Sequence, residues 1–179
     1  MTLLSACSAP PQSGGRGQTS AEEVSPPVWD GPLRTDRSAY IAERGRRYGR
    51  HEYTFTVIAQ YTNRTGVPVY LDRCFPDSPQ PTYGVPLVGA TEPLESAYEP
   101  AWSCVGHDDW IVVQPGAVRV DTLRISGPTV WDGRTGEIRG KLAGRFRLVY
   151  LARSCPQDIG CPLPDSRVAS NEFEVRIQR

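Results

Sequence analysis

The side chains of this 179-residue chain that could do chemistry are few: five cysteines and two histidines, His51 and His107. His107 stands in Val105-Gly106-His107-Asp108-Asp109-Trp110, where an imidazole beside two carboxylates could hold a metal ion or share a proton. Neighbouring aspartates point to opposite sides of a strand, so a site there needs ligands from elsewhere, and the sequence offers no second cluster. The expected reading is a solvated loop in which Asp108 or Asp109 closes an Asx-turn, with no metal and no cofactor. His51 falls beside the start of a strand. No Gly-x-Ser-x-Gly, His-Glu-x-x-His, EF-hand loop or phosphate-binding Gly-Lys-Ser/Thr occurs, so an enzyme is not expected.

Cys74, Cys104, Cys155 and Cys161 are an even set, and their spacings of 30, 51 and 6 contain no Cys-x-x-Cys zinc knuckle. In an exported protein they read as two disulfides among three connectivities. The expected pairs are Cys74 with Cys104 and Cys155 with Cys161, which would constrain the unfolded chain by roughly 3.5 and roughly 2.5 kcal/mol.

Cys7 is a separate case. Leu4-Ser5-Ala6-Cys7 resembles the processing site of bacterial lipoproteins, which implies cleavage before Cys7, a diacylglycerol thioether on its sulfur and an acylated amine. Several acyl chains on one residue exceed the marginal hold of a single chain, so attachment would be stable. Met1 to Ala6 are too short for the basic and apolar regions of a full signal, so residues 1–7 are expected to be the remnant of a longer one. No run of 18 or more apolar residues occurs, and the membrane is expected to be reached through Cys7 alone. Residues 8–27 are Ser, Pro, Gly, Gln and Glu-rich with Val24 the one bulky apolar side chain, a composition that cannot offset its ordering entropy. They are expected to form a disordered linker spanning roughly 25 Å. Gly15-Arg16-Gly17 within it lacks the strand, third glycine and helix of a dinucleotide loop.

The positioning elements lie in residues 28–179, where period-2 alternation recurs. Tyr53, Phe55, Val57, Ala59 and Tyr61 form one apolar face, followed by Thr62-Asn63-Arg64-Thr65-Gly66, which reads as a tight hairpin turn into Val67, Val69 and Leu71. Phe146, Leu148 and Tyr150 alternate with arginines, and Phe173, Val175 and Ile177 with charged residues. Trp110 to Val113 is a short apolar run before the turn Gln114-Pro115-Gly116. The set Val118, Val120, Leu123 and Ile125 slips by one residue, which a β-bulge between Val120 and Leu123 would restore. Ser38 to Ala42 and Tyr98 to Ser103 are weaker strand candidates. With 17 Gly, 17 Pro and no long helical period, the expectation is all-β, an antiparallel sandwich of about seven strands.

Thr56 to Leu71, Pro115-Gly116 before a strand, Gly144 to Tyr150 and the closing Ser170-Asn171-Glu172-Phe173-Glu174-Val175 together resemble an immunoglobulin-like β-sandwich of bacterial lipoproteins, and are loosely similar to the BsuPI-type proteinase inhibitor domain. The resemblance covers most of residues 33–179. It implies the sandwich fold and, as an alternative function, proteinase inhibition; no match to that inhibitor's tryptophan-rich loop is found. Gly144-x-Phe146 occupies the usual place of a tyrosine corner, with a Phe that lacks the hydroxyl.

Twenty basic residues balance twenty acidic ones, so partners must be recognised by local patches. Arg44, Arg46, Arg47 and Arg50 cluster in what reads as a charged connection between the first two strands, a candidate for anionic headgroups or a partner. Trp131, in Trp131-Asp132-Gly133, reads as a loop tip and a candidate recognition residue, the other tryptophans being expected in the core or as a flap over the sandwich end. There is no basic face with interleaved aromatics elsewhere, so nucleic acid is not expected. The sequence thus implies an exported, membrane-anchored, non-enzymatic module that binds an envelope protein or polymer through loops.

Overall fold

The computed structural model describes residues 29–91, 95–98, 109–129, 139–156 and 161–178, and among these the chain is all-β, with no α-helix. No helix in them is long and apolar enough to cross a membrane. The backbone of the arrangement is β3 (Arg50–Thr62), thirteen residues whose β-branched and aromatic side chains suit a pleated, half-buried strand. Phe55, Val57, Ala59 and Tyr61 are all buried, and the residues between them face outward, as the alternation requires.

On one edge of β3, β7 (Val118–Gly127) runs antiparallel from Thr62↔Val118 to Tyr53↔Gly127. On the other edge two segments share its length: β1 (Leu33–Thr35) pairs with residues 59–61, and the second half of β2 (Ala39–Arg47) pairs with residues 50–54. Between them residues 39–42 leave β3 and pair in parallel with β11 (Phe173–Ile177). Asp36 makes the exchange possible. Its carboxylate accepts the Ile58 amide (2.9 Å) and the Tyr40 hydroxyl (2.7 Å), satisfying the β3 backbone where the neighbouring strand departs.

The other strands form smaller sheets. β4 (Val69–Arg73) lies between β6 (Asp109–Val113) and β10 (Ala152–Arg153), and β5 (Tyr83–Gly84) pairs with β9 (Val149–Tyr150), while β8 (Gly144–Phe146) joins the far edge of β11. One core connects them. Tyr40, Phe55, Tyr98, Phe146 and Phe173 meet edge-on or tilted at centroid separations of 5.0 to 5.5 Å along the chain of contacts, geometry favoured by the ring quadrupoles.

Several expectations need correction. Asn63-Arg64-Thr65-Gly66 is not a hairpin turn, because β3 and β4 belong to different sheets; the segment crosses between them. The wholly buried Asn63 side chain fixes that crossing by donating to the carbonyls of Val67 and Val113 (both 2.8 Å) and accepting from the Thr65 amide (2.9 Å). Val67 is half exposed and the strand starts only at Val69. The expected β-bulge in β7 is absent: its register with β3 is continuous, so Val118 and Val120 face solvent and Asp121 faces inward. Burial of that carboxylate is offset by three donors, Arg119 Nε (3.0 Å), Arg119 Nη2 (2.6 Å) and the Tyr150 hydroxyl (2.9 Å). Burial and the adjacent Asp121 charge push the Tyr150 phenol far above its ordinary value. Phe146, Leu148 and Tyr150 do point inward, but their strand is broken into β8, β9 and β10, which pair with three different neighbours. The inward faces expected for Tyr53 to Tyr61 and Phe173 to Ile177, and the turn at Pro115-Gly116, are as read from the sequence.

Candidate functional site

Beyond Ala42 the β2–β3 hairpin leaves the core, and residues 43–51 are all exposed. The four clustered arginines are here, and their expected position in a connecting loop is wrong: Arg44, Arg46 and Arg47 lie on β2 and Arg50 on β3, and only Tyr48 and Gly49 form the turn. Both turn residues have positive φ, 50° and 77°, the pattern of a two-residue turn whose twist matches that of its strands. Pairing thus runs to the tip, at Arg47↔Arg50, and the arginines stand on a two-stranded arm.

Pairing also sorts the charges. Residues directly opposite share a face, so Arg44, Arg46 and His51 lie on one side and Arg47, Arg50 and Glu52 on the other. Arg44 reaches diagonally to His51, its guanidinium nitrogens 3.2 and 2.7 Å from the two ring nitrogens; a neutral ring accepts at one of them. Arg47 pairs with Glu52 (3.5 Å) and lies over the Tyr48 ring (5.4 Å to its centroid), and the Tyr48 phenol with Glu52 behind it holds the guanidinium above its ordinary value. Tyr48 itself is 91% exposed, at the extreme tip.

A cleft of about 720 Å³ opens between this arm and the C-terminal end of β7. Arg47, Arg50 and His51 line one side and Arg124 the other, with the Tyr83 ring beside Arg124 and the edge of buried Tyr98 at the floor. The Tyr83 hydroxyl donates to the Arg124 carbonyl (3.4 Å), the Tyr98 hydroxyl to the Leu142 carbonyl (2.8 Å), and burial raises both phenols. Thr54 and Ser126 place two hydroxyls 3.4 Å apart across the β3–β7 pair. Among the described residues neither Arg46 nor Arg124 has a carboxylate partner. Sequence reading found the arm's arginines and placed His51 beside the start of a strand; it missed Tyr48, whose place at the turn the arginine cluster marked, and Arg124 and Tyr83, because 70 or more residues separate the arm from Arg124 and only the β3–β7 register brings them together.

No group of three metal-ligating side chains occurs among the described residues. The lining offers groups suited to binding: guanidinium forks for an anion, a phenol ring for stacking or apolar contact, hydroxyls for hydrogen bonds.

Of the other expected sites, Cys155 and Cys161 are joined, with Cα atoms 5.9 Å apart. Cys74 is also disulfide-bonded, its partner outside the described residues, as are Cys104, Cys7, His107, Asp108 and Trp131. The remaining tryptophans seen are not core residues: Trp29 is partly exposed and donates to the Leu33 carbonyl (2.7 Å), and Trp110 packs edge-on against Tyr70 on the face of the β4 sheet. Trp29 and Asp30, whose carbonyl accepts from Arg64, lie where β1 meets the C-terminal end of β3, the pole opposite the arm. No protein-family model, curated protein or solved structure matches this chain.

Proposed function

We propose that the protein is a non-enzymatic, exported module, anchored to a membrane through Cys7, that binds an envelope component with the β2–β3 arm and the adjoining cleft. The observation that carries this reading is the cluster of Arg44, Arg46, Arg47 and Arg50 with Tyr48 on an arm that contributes nothing to the core. Solvent-projecting arginine and tyrosine are the residue types that anchor partners. For the fold we propose the immunoglobulin-like sandwich. Counting β1 with β2, and β8 with β9 and β10, as interrupted single strands leaves about seven, with two-residue β5 as an addition; β11 and β8 are joined to β3 through β2, so β1, β3 and β7 would form one sheet and β11, β8 to β10, β4 and β6 the other only with β2 passing from one to the other at Ala42.

Polarity chooses between the candidate partners. The chain enters the domain at Leu33↔Tyr61, and the arm ends at Arg47↔Arg50, eleven residues away along β3. At about 3.3 Å per residue the arm tip is roughly 35 Å from the point of entry. A proposed linker of residues 8–27 adds roughly 25 Å, so the mean position of the arm is well beyond the reach of headgroup charge, which is screened over about 8 Å at physiological salt. A polymer or protein of the envelope is thus favoured over the anchoring bilayer. The tight Tyr48-Gly49 turn also gives little support to proteinase inhibition, because a protease cleft takes an extended segment.

The test is cross-linking in the native host from a photoreactive residue at position 48. Adducts with an envelope component that vanish when Arg46 and Arg47 are both changed to Ser are expected. Adducts with lipid alone, or none, would overturn the assignment of the arm.

A further inference from the structure

Resting on that reading, we infer that the arm and cleft bind an extended polymer carrying repeated phosphate groups. The first argument is spacing. The outer face carries a polar row: Arg47 and Arg50 at the tip, then Glu52, then Thr54 between Glu43 and Ser126, then Arg124 opposite Thr56. From position 50 to position 56 the row covers roughly 20 Å. One small anion reaches only one end of it, whereas a chain with charge at intervals meets both.

The second argument is charge. Two acidic side chains share this face, Glu52, which is engaged by Arg47, and Glu43 opposite Thr54, so its cationic charge is concentrated at the ends, at the tip and at Arg124, which has no carboxylate partner among the described residues. On the arm's other face Arg46 is likewise without one, so a polymer passing over the tip meets guanidinium groups on both sides. Arginine stays charged at every physiological pH, and its fork gives two parallel bonds.

The third argument is geometry at the anion. Guanidinium forks suit phosphate as well as carboxylate, but a tetrahedral phosphate takes donors arriving in different planes, as forks from the two faces of the ribbon tip would for one phosphate and the Thr54 and Ser126 hydroxyls would for another. Tyr83 supplies a surface for the apolar or sugar units between charges.

The experiment titrates the full chain with long-chain inorganic polyphosphate, with inorganic phosphate, with poly-glutamate of matched length, and with phosphatidylglycerol vesicles. Polyphosphate is expected to bind at least tenfold more tightly than either inorganic phosphate or poly-glutamate. Its log K is expected to fall linearly with log salt, and Arg46→Ser and Arg124→Ser should each lower that slope by about one while leaving the thermal melt unchanged. Equal binding of polyphosphate and poly-glutamate would overturn the preference for phosphate; vesicle binding without polyphosphate binding, or a slope indifferent to both substitutions, would overturn the site. Arm-dependent cross-linking in cells without polyphosphate binding would sink this inference and leave the arm as a recognition element, whereas loss of both would remove the functional reading as well.

Discussion

Asp121 sits where simple alternation puts a valine, and its environment explains how a carboxylate is tolerated there. Two arginine nitrogens and one phenol share its oxygens, and the Arg119 guanidinium also reaches the Pro79 carbonyl, tying the loop before β5 to the edge of β7. Removing the acceptor leaves a half-buried guanidinium and a buried hydroxyl without it. Asp121→Ala is therefore expected to cost about 2 to 3 kcal/mol, below the full figure for a buried pair because Arg119 is partly solvated. Tyr150→Phe, which removes one donor and leaves the carboxylate paired with arginine, should cost about 1 kcal/mol. Urea unfolding of both variants and the double variant checks this, with less than additive loss as the sign of a shared network.

At the scale of the element, the arm has none of the burial that stabilises the rest of β2 and β3, so its order depends on the turn. Gly49 adopts φ 77° with open space where a Cβ would stand, and the cost of a side chain there is backbone strain alone. Gly49→Ala should cost the arm about 1 kcal/mol. Amide exchange at residues 43–47 and 51–53 is expected to accelerate several-fold, while the global melting temperature moves by no more than a few degrees, since residues 43–51 add nothing to the core. A large fall in melting temperature would mean that the hairpin is part of the cooperative unit.

For the whole molecule, buried tyrosines set the alkaline limit. Tyr40, Tyr61, Tyr83, Tyr98 and Tyr150 all have phenols raised above the ordinary value near 10, in each case chiefly by burial. Below pH 10 both folded and unfolded chains keep these protons and stability is unaffected. Above it the unfolded chain releases them first, so stability falls by up to about 1.4 kcal/mol per pH unit for each such group. Phenolate absorbance of these five is expected to rise together with loss of the far-ultraviolet β signal, in one transition above pH 10. Their ionisation well before that loss would contradict the burial seen here.

The sequence by itself determined the all-β class and the faces of β3 and β11, though not that of β7, because an unbroken period of two records which side of a strand meets apolar surroundings whatever its neighbours are. Phe55 to Tyr61 and Phe173 to Ile177 were legible for that reason, and so was the Cys155–Cys161 bridge, whose partners are six residues apart. Only the tertiary structure decided which strands pair. Asn63 crosses between sheets instead of closing a hairpin because its amide finds the Val113 carbonyl, fifty residues on; Asp121 needs no bulge because Tyr150 waits on another strand. The candidate site follows the same division. The arginines were visible as a local cluster, but their place on a projecting arm, and the meeting of that arm with Arg124, depend on the β2–β3 and β3–β7 registers, which are set by long-range contacts that local spacing does not encode.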